Sequence, residues 1–468
     1  MSAETSGSYK RNLDYNLFMA KVKYIPDEDF FNEPVSDVLS DCLLSLFPAK
    51  EVDTKGKLRV LSLFSGCGGM DIGFEGGFIC HRKSINPHND WIEESLNANW
   101  VKLKETNFTT VFANDILEEA KATWFSYMHK RGHSSESYRL ESIVDIVKRY
   151  RQGINEFPPH IDVVTGGFPC QDFSVAGKRK GFDSNKDHNG RKRIEDVPSE
   201  ETRGKLYFWM KQVIDITQPK VFIAENVKGL VNLGDVKTII QQDFASAGDN
   251  GYIVLTPRVL HAADFGVPES RERVIFIGIR KDALKKDALE ALQKEALPSE
   301  YNPYPSPTHA YSSQGEGLVA PVVCGDVFQG LSEPEMSSDL SHKYYSKAKY
   351  MGSHCQGQKE IALDKIGPTI RSEHHGNIEF RRLSSEHGGL IKHELLAGLS
   401  ERRLTPRECA LIQTFPPDYS FVRYKPYSKS RFSVSSSGAY KVIGNAVPPI
   451  LAYNLAMRIQ SLWNLYFK

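Results

Sequence analysis

Leu58-Arg-Val-Leu-Ser-Leu-Phe-Ser-Gly-Cys-Gly-Gly69 decides the fold. Residues 58–64 form an apolar run that reads as a buried strand. A tight glycine turn follows, and residues 70–75 begin a helix. Strand, glycine turn and helix in that order open a doubly wound α/β fold. They leave backbone N–H groups and a helix N-terminus ready for an anion. The spacing is F-x-G-x-G-G rather than G-x-G-x-x-G, and no Walker lysine follows, which argues against a phosphate cradle. A carboxylate, such as that of a methionine moiety, suits the turn as well.

The α/β rhythm continues outward from this stretch. Residues 91–100 and 117–130 are predicted helices, and residues 111–114 a strand that delivers Asp115 to its end. A carboxylate there can accept from an adenine amino group or a ribose, or it can cap the next helix. Residues 161–164 read as a further buried strand, which Thr165-Gly-Gly-Phe-Pro-Cys-Gln171 then breaks. Cys170 therefore sits on a turn past a C-terminal strand end, the edge where ligands bind in an open sheet. A thiol there is either a nucleophile or a small structural residue. Residues 172–203 are polar and carry Lys178-Arg-Lys180 and Arg191-Lys-Arg193. Such a segment is a lid that meets phosphates, or a solvated loop.

A helix over 204–216 and a strand over 220–224 come next. The strand ends in Glu225-Asn-Val227, so a carboxylate stands at a strand end just as Cys170 does. If the two strands are neighbours, thiol and acid share one pocket, and the acid can exchange a proton with a ring nitrogen. A helix over 235–247 and strands over 252–260 and 274–279 complete this part. Before the last strand lies Glu269-Ser-Arg-Glu-Arg273, whose two arginines point the same way on an extended segment.

Residues 286–434 lose the rhythm: Pro303, Pro305 and Pro307 mark a boundary, and Gly367-Pro-Thr-Ile-Arg-Ser-Glu-His-His-Gly376 is a polar loop able to read base edges or phosphates. Thr405 and Glu408 have capping-box spacing at the start of a helix. Lys441-Val-Ile-Gly-Asn-Ala-Val-Pro-Pro449 leads into an apolar-faced helix that returns to the first domain. The expected organisation is an N-terminal extension (1–57, with a helix over 35–46), a catalytic domain (58–285), a second domain (286–434) and a returning segment (435–468).

Composition narrows the class. The 59 Lys+Arg nearly balance the 58 Asp+Glu, so any basic face must arise from local clustering. The seven cysteines (42, 67, 80, 170, 324, 355, 409) show no C-x-x-C pair, which argues against a zinc site or a disulfide framework and fits a reducing cytosol. The first ten residues lack the apolar core of a signal peptide, and no apolar run reaches the ~18 residues of a membrane span. These readings place the chain in the cytoplasm.

Taken in order, F-S-G-C-G-G, P-C-Q, E-N-V, the R-x-R pair, R-x-L-T-P-R-E-C and G-N-A-V-P-P resemble the DNA (cytosine-5) methyltransferases, over about residues 58–281 and 402–463. The closest look is to the bacterial enzymes of restriction–modification systems. The resemblance implies an S-adenosyl-L-methionine-dependent, Rossmann-like α/β fold with a mostly parallel sheet and a smaller, loop-rich target-recognition domain. It implies S-adenosyl-L-methionine as cofactor, S-adenosyl-L-homocysteine as product and no metal. Double-stranded DNA is the implied partner, a cognate restriction endonuclease acts on the same site without direct contact, and the chain works as a monomer in the bacterial cytosol.

Roles carry over by position. Phe64, Gly66, Gly68 and Gly69 match the cofactor turn, with Phe64 stacked on adenine. Asp115 and Ile116 match the adenine-contacting pair at the end of the third strand, Leu206 lines the adenine pocket, and Asn445 and Ala446 close over the cofactor. Cys170 matches the nucleophile, Glu225 the acid at cytosine N3, and Arg271 and Arg273 the pair around the flipped base. Gln171, Ser174, Lys178 and Arg179 in the lid, and Thr369, Arg371, His374 and His375 in the recognition domain, are the implied DNA contacts. Two positions depart from the pattern. The acid expected after the second strand, for the ribose hydroxyls, falls by spacing near Asn86. Glu269 stands where glutamine usually precedes the arginine pair.

Two rivals share these motifs. An RNA cytosine methyltransferase would have the same catalytic set with a shorter insert than 286–434. An inactive DNA-binding relative would lack the thiol or the acid, and both are present. A Rossmann dehydrogenase would need the absent G-x-G-x-x-G spacing.

Overall fold

The computed structural model describes residues 56–169, 206–232, 235–372, 378–428 and 430–468. The helix expected over 35–46 and the segment 172–203 lie outside them. In chain order the first part runs β1 (Leu58–Leu63), α1 (Gly69–Glu75), β2 (Ile79–His81), β3 (Ile92–Ser95), β4 (Trp100–Leu103), β5 (Phe108–Asp115), α2 (Glu118–Met128), β6 (Tyr138–Leu140), α3 (Ile143–Arg151) and β7 (Val163–Gly167). It continues with α4 (Leu206–Thr217), β8 (Val221–Val227), α5 (Val236–Ala245), β9 (Tyr252–Val254), β10 (Arg258–His261), β11 (Glu272–Arg280) and α6 (Lys286–Leu292).

Eight of these strands form one sheet in the order β10-β11-β8-β7-β1-β5-β6, with β9 also on β11. From β6 across to β8 every pairing is parallel, and β11 runs antiparallel to β8. This is the doubly wound, mostly parallel sheet expected from the glycine turn. Successive side chains of β1 point to opposite faces. Val60 joins an apolar layer that contains Ile72 and Phe74 of α1. Leu61 and Leu63 join the other layer, against Val144 of α3 and Met210 of α4. The chain leaves β1 to one side for β5 and β6, then crosses to β7 and β8. The order therefore reverses at β1/β7, the kind of switch point outside whose C-terminal strand ends open α/β sheets bind ligands.

Three local expectations are corrected. Residues 91–100 are not a helix: β2, β4 and β3 make a three-stranded antiparallel ribbon. β4 pairs with β2 on one side and β3 on the other, and Asn97 Oδ1 accepts from Asn99 N and Trp100 N at 2.8 and 2.7 Å, turning the chain as an Asx turn does. The single strand expected over 252–260 is split into β9 and β10, because Pro257 lies between them and cannot donate to a ladder. Helix α3 was not foreseen, although Ser142 caps it by accepting from Val144 N and Ile143, Val144, Ile146 and Val147 are buried.

Beyond α6 regular structure is sparse, as the sequence indicated. The ribbon of β12 (Phe380–Arg382) and β13 (Arg402–Arg403) leads to α7 (Pro406–Ile412), then β14 (Arg423–Tyr424), β15 (Phe432–Val434), α8 (Ser436–Asn445) and α9 (Pro449–Tyr466). Charge pairs do much of the organising. Glu333 holds both Arg382 and Arg402 at 3.0 Å, and Glu408 takes Arg402 through both carboxylate oxygens at 2.9 Å. The capping box is present: Thr405 Oγ1 accepts from Glu408 N at 3.1 Å, and Glu408 accepts from Thr405 N at 2.8 Å. Helix α9 returns to the start of the sheet. Tyr453 packs edge-on against Phe78 and Trp91 and donates to Lys104 O at 3.1 Å. Leu404, Cys409 and Phe415 belong to the same apolar layer as Val60, so residues 286–434 share a core with the sheet.

Candidate active site

Two groups of residues lie along the C-terminal edge of the sheet. The first surrounds the glycine turn between β1 and α1. Phe64 opens it with a left-handed φ of 52°, a conformation that costs a non-glycine residue energy and tends to mark functional turns. The turn is fastened on several sides. Ser65 N donates to Asn114 O at 2.8 Å, Tyr138 Oη to Gly66 O at 3.0 Å and Tyr419 Oη to Cys67 O at 2.7 Å. Asp115, the last residue of β5, accepts from Gly66 N at 3.0 Å through one oxygen. Its other oxygen accepts from Ile116 N at 2.7 Å and Leu117 N at 3.1 Å. Burial pushes its pKa up, and these three N–H groups oppose the shift.

Asp115 thus ties the glycine loop to the turn before α2, whose N-cap position, Leu117, makes no side-chain cap bond. Beside it Ile116 is left 36% exposed, and Leu140, its neighbour at the end of β6, 38% exposed. Apolar side chains uncovered at a sheet edge suit the face of a flat ring. Among the described residues no atom lies within 4 Å of where a Cβ on Gly66 would stand, so the turn borders open space there. Leu206 is buried in the layer against which Phe64 packs. Asn445 is exposed and Ala446 buried, next to the start of α1.

The strand order changes one assignment. β5, not β2, is the strand beside β1, and β6 is the third. The acid that follows the second strand is therefore Asp115. The third strand ends at Leu140, with Glu141 and Ser142 after it, residues not singled out from the sequence. Asn86 lies after the ribbon strand β2, off the sheet. Its Nδ2 donates to Thr308 O at 2.9 Å and Gly317 O at 2.7 Å, and its Oδ1 accepts from His88 N at 3.0 Å. Both its N–H groups and its amide oxygen bond to backbone away from the sheet edge, which corrects the expectation of a cofactor ligand. The spacing misled because the inserted ribbon displaces the second strand by some thirty residues.

The second group lies where β7 and β8 run side by side. Gly167 pairs with Glu225, so the carboxylate stands beside the strand end that leads into Phe168, Pro169 and Cys170. A Cβ on Gly167 would lie 2.7 Å from Glu225 Oε2, and glycine alone leaves room for the acid. Glu225 is buried, and burial pushes its pKa up. Arg273, at 2.7 Å through Nε, pulls the other way, as does Arg271 more distantly. β8 extends through Val227, further than predicted, so Glu225 sits within the ladder opposite Ile275 and not on a loop. Asn226, quoted in the E-N-V triplet but given no role, donates to Phe168 O at 3.2 Å and so orients the turn before Cys170.

Arg271 behaves differently from Arg273. It is 1% exposed, and its two Nη groups bond to backbone carbonyls and Glu269, which corrects its expected place beside a flipped base. Glu269 is fully buried as well. It accepts from Ile370 N at 2.7 Å, so its charge is directed into the protein and not toward a polyanion. Thr369 donates to Ser270 O, and Arg371 pairs with Glu379 at 2.7 Å. Cys170, Gln171, Ser174, Lys178, Arg179, His374 and His375 lie outside the described residues. Among the described residues no cluster of His, Cys, Asp and Glu could hold a metal ion, and no helix is long and apolar enough to cross a membrane.

Known proteins resemble the chain in sequence and in fold. The profile of a family described as C-5 cytosine-specific DNA methylase matches residues 58–461. The Type II methyltransferase M.BsuRI of Bacillus subtilis is 30% identical over 463 residues, which is 97% of this chain and 90% of that protein. The Type II methyltransferase M.BspRI of Lysinibacillus sphaericus is 30% identical over 419 residues, 88% of this chain and 84% of that protein. The structure of the Entamoeba histolytica methyltransferase EhMeth matches with a TM-score of 0.50 at 14% identity, covering 87% of this chain and 99% of that one.

Proposed function

The chain belongs to the C-5 cytosine-specific DNA methylase family, and from that membership we propose how its own residues act on DNA. It is a DNA (cytosine-5) methyltransferase that uses S-adenosyl-L-methionine. The observation that carries the proposal is the pairing of Gly167 with Glu225, which puts a buried acid beside the strand end leading to Cys170.

The cofactor fits the first group of residues. The open space over Gly66 and the uncovered side chains of Ile116 and Leu140 suit a flat ring with a ribose. Asp115 is the residue for the ribose hydroxyls, Phe64, Ile116 and Leu206 line the adenine, and Asn445 and Ala446 close the site. When bound, S-adenosyl-L-methionine supplies a methyl group as an electrophilic sulfonium substituent.

Cytosine C5 is a poor nucleophile. Addition of the Cys170 thiolate to C6 makes C5 enamine-like, which is covalent catalysis. Glu225 gives a proton to N3, or shares one with it, as charge develops on the ring. Its burial favours the protonated form needed for this. Arg273 keeps the carboxyl turned toward the pocket. After C5 is methylated, water or hydroxide removes the C5 proton and the C6–S bond breaks, releasing Cys170. The target carbon is inaccessible in a stacked duplex, so the cytosine must leave the helix at a cost of a few kcal/mol. Phosphate contacts from Gln171, Ser174, Lys178 and Arg179, with base contacts from His374 and His375, offset that cost. Two relatives are named Type II methyltransferases, so a cognate restriction endonuclease for the same DNA word belongs to the proposal.

The test is transfer of labelled methyl from S-adenosyl-L-methionine to unmethylated DNA and, in parallel, to RNA, followed by base analysis. Wild type should yield 5-methylcytosine in DNA, and Cys170→Ala none. Label in RNA only would replace DNA as the substrate. Label in DNA with Cys170→Ala would remove the covalent step.

A further inference from the structure

Behind Glu225 three backbone segments meet, and one guanidinium holds them together. Residues 268–271 run beside residues 367–370. Gly367 N donates to Pro268 O and Ser270 N to Gly367 O, both at 2.8 Å, and Thr369 Oγ1 donates to Ser270 O. From the other side comes the end of α8. A Cβ on Gly444 would stand 2.3 Å from the carbonyl carbon of Arg371, so the two backbones touch with no side chain between them.

Arg271 spans the junction. Its Nη1 donates to Ile370 O at 3.1 Å, and its Nη2 donates to Gly444 O at 2.9 Å and Ala446 O at 2.7 Å. Glu269 completes it, because its Oε1 accepts from Ile370 N at 2.7 Å and lies 3.4 Å from Arg271 Nη1. Both side chains are essentially without exposure, at 0% and 1%. Water cannot replace a bond lost there, so each bond constrains where its segment sits. Two residues along, Arg273 holds Glu225.

We propose that Glu269 and Arg271 are positioning residues that couple the DNA-recognition segment 369–372 to the cofactor-closing segment 444–446, so that each ligand tightens the binding of the other. The inference rests on the functional reading above, which assigns DNA to one segment and cofactor to the other. Neither residue touches a reacting atom. They share one bonded unit with both segments, and a shift of either segment strains the bonds to the other. Such coupling is reciprocal: whatever factor the cofactor contributes to DNA affinity, DNA contributes to cofactor affinity.

The experiment measures the Kd of S-adenosyl-L-homocysteine by titration calorimetry, with and without a duplex carrying the word read from the methylated product. In wild type the ratio should lie in the range of roughly 5 to 150 usual for coupled sites. Glu269→Ala and Arg271→Lys should bring it to within about twofold of one, since lysine cannot fork to three carbonyls. Glu269→Gln keeps the acceptor for Ile370 N and should keep the ratio. His309→Ala serves as the control. It removes another tie to the second domain, the contact of Nε2 with Lys83 O at 2.8 Å, without touching the junction, and should also keep the ratio.

A wild-type ratio of one overturns the coupling and leaves methyl transfer standing. So does a ratio preserved in Glu269→Ala or Arg271→Lys, or lost equally in His309→Ala. If Arg271→Lys fails to fold, Glu269→Ala and Glu269→Gln decide between them. A wild type that binds neither ligand refutes the functional reading itself.

Discussion

Replacing Gly167 by alanine tests the pairing of the two central strands more sharply than removing a catalytic group. Gly167 does not have a left-handed φ, so alanine is acceptable to the backbone. The difficulty is the new methyl group, 2.7 Å from Glu225 Oε2. Relief to ordinary contact requires the carboxylate to retreat by about 0.7 Å, and misplacement on the order of 1 Å at a reacting centre costs ~100-fold in rate. Retreat is opposed, because Arg273 grips the carboxylate at 2.7 Å. The expected result is a fall in kcat of about 100-fold, or about 2.7 kcal/mol of transition-state stabilisation. The KM for S-adenosyl-L-methionine should be unchanged, because the cofactor residues lie on other strands. Overpacking should lower stability by about 1–3 kcal/mol. The assay is labelled methyl transfer to unmethylated plasmid DNA at saturating cofactor, with Glu225→Gln alongside. Gly167→Ala within a few fold of wild type, beside an inactive Glu225→Gln, would refute the placement of the acid.

Other outcomes follow from the same geometry. Asp115→Asn should raise the KM for S-adenosyl-L-methionine about tenfold, as loss of a charged hydrogen bond does, whereas Asn86→Ala should leave it unchanged and lower only the Tm; the reverse pattern would restore the spacing-based assignment. Thr405→Ala removes one half of the capping box and should cost about 1 kcal/mol in urea unfolding with activity retained. Asp71 accepts from Ser62 Oγ at 2.5 Å and Trp124 Nε1 at 2.6 Å, and burial raises its pKa from 3.8 to about 6. The folded state therefore holds a proton that the unfolded state releases, so this contribution is present below the ordinary value and is lost as pH rises through about 6. Asp71→Asn can donate to Ser62 and accept from Trp124, and should flatten the dependence of Tm on pH between 3.8 and about 6.

Much of this molecule is written locally. The glycine turn, the strand before it and the apolar alternation that follows identify the sheet, because strand ends and turns depend on near neighbours. Thr405 and Glu408 announced their helix for the same reason. Strand order is a long-range property, and there the sequence misled. The ribbon β2–β4 is inserted between β1 and β5, its neighbour in the sheet, and so displaced the second strand in the count. The two arginines look equivalent at i, i+2, yet only Arg273 faces the pocket, because Arg271 meets segments from 99 and more residues away. Glu269 departs from the family pattern in sequence, and its partner, Ile370 N, lies 101 residues away.

The return of α9 has a consequence in time. Tyr453 closes over Phe78 and Trp91, whose codons are read some 360–375 residues earlier. At ribosomal speeds of roughly 5–20 residues per second, the face that α9 covers emerges and waits for tens of seconds before its cover is made. A chain stopped just short of α9 would leave that apolar face bare. Newly made enzyme should therefore gain activity in one late step, once α9 has been made.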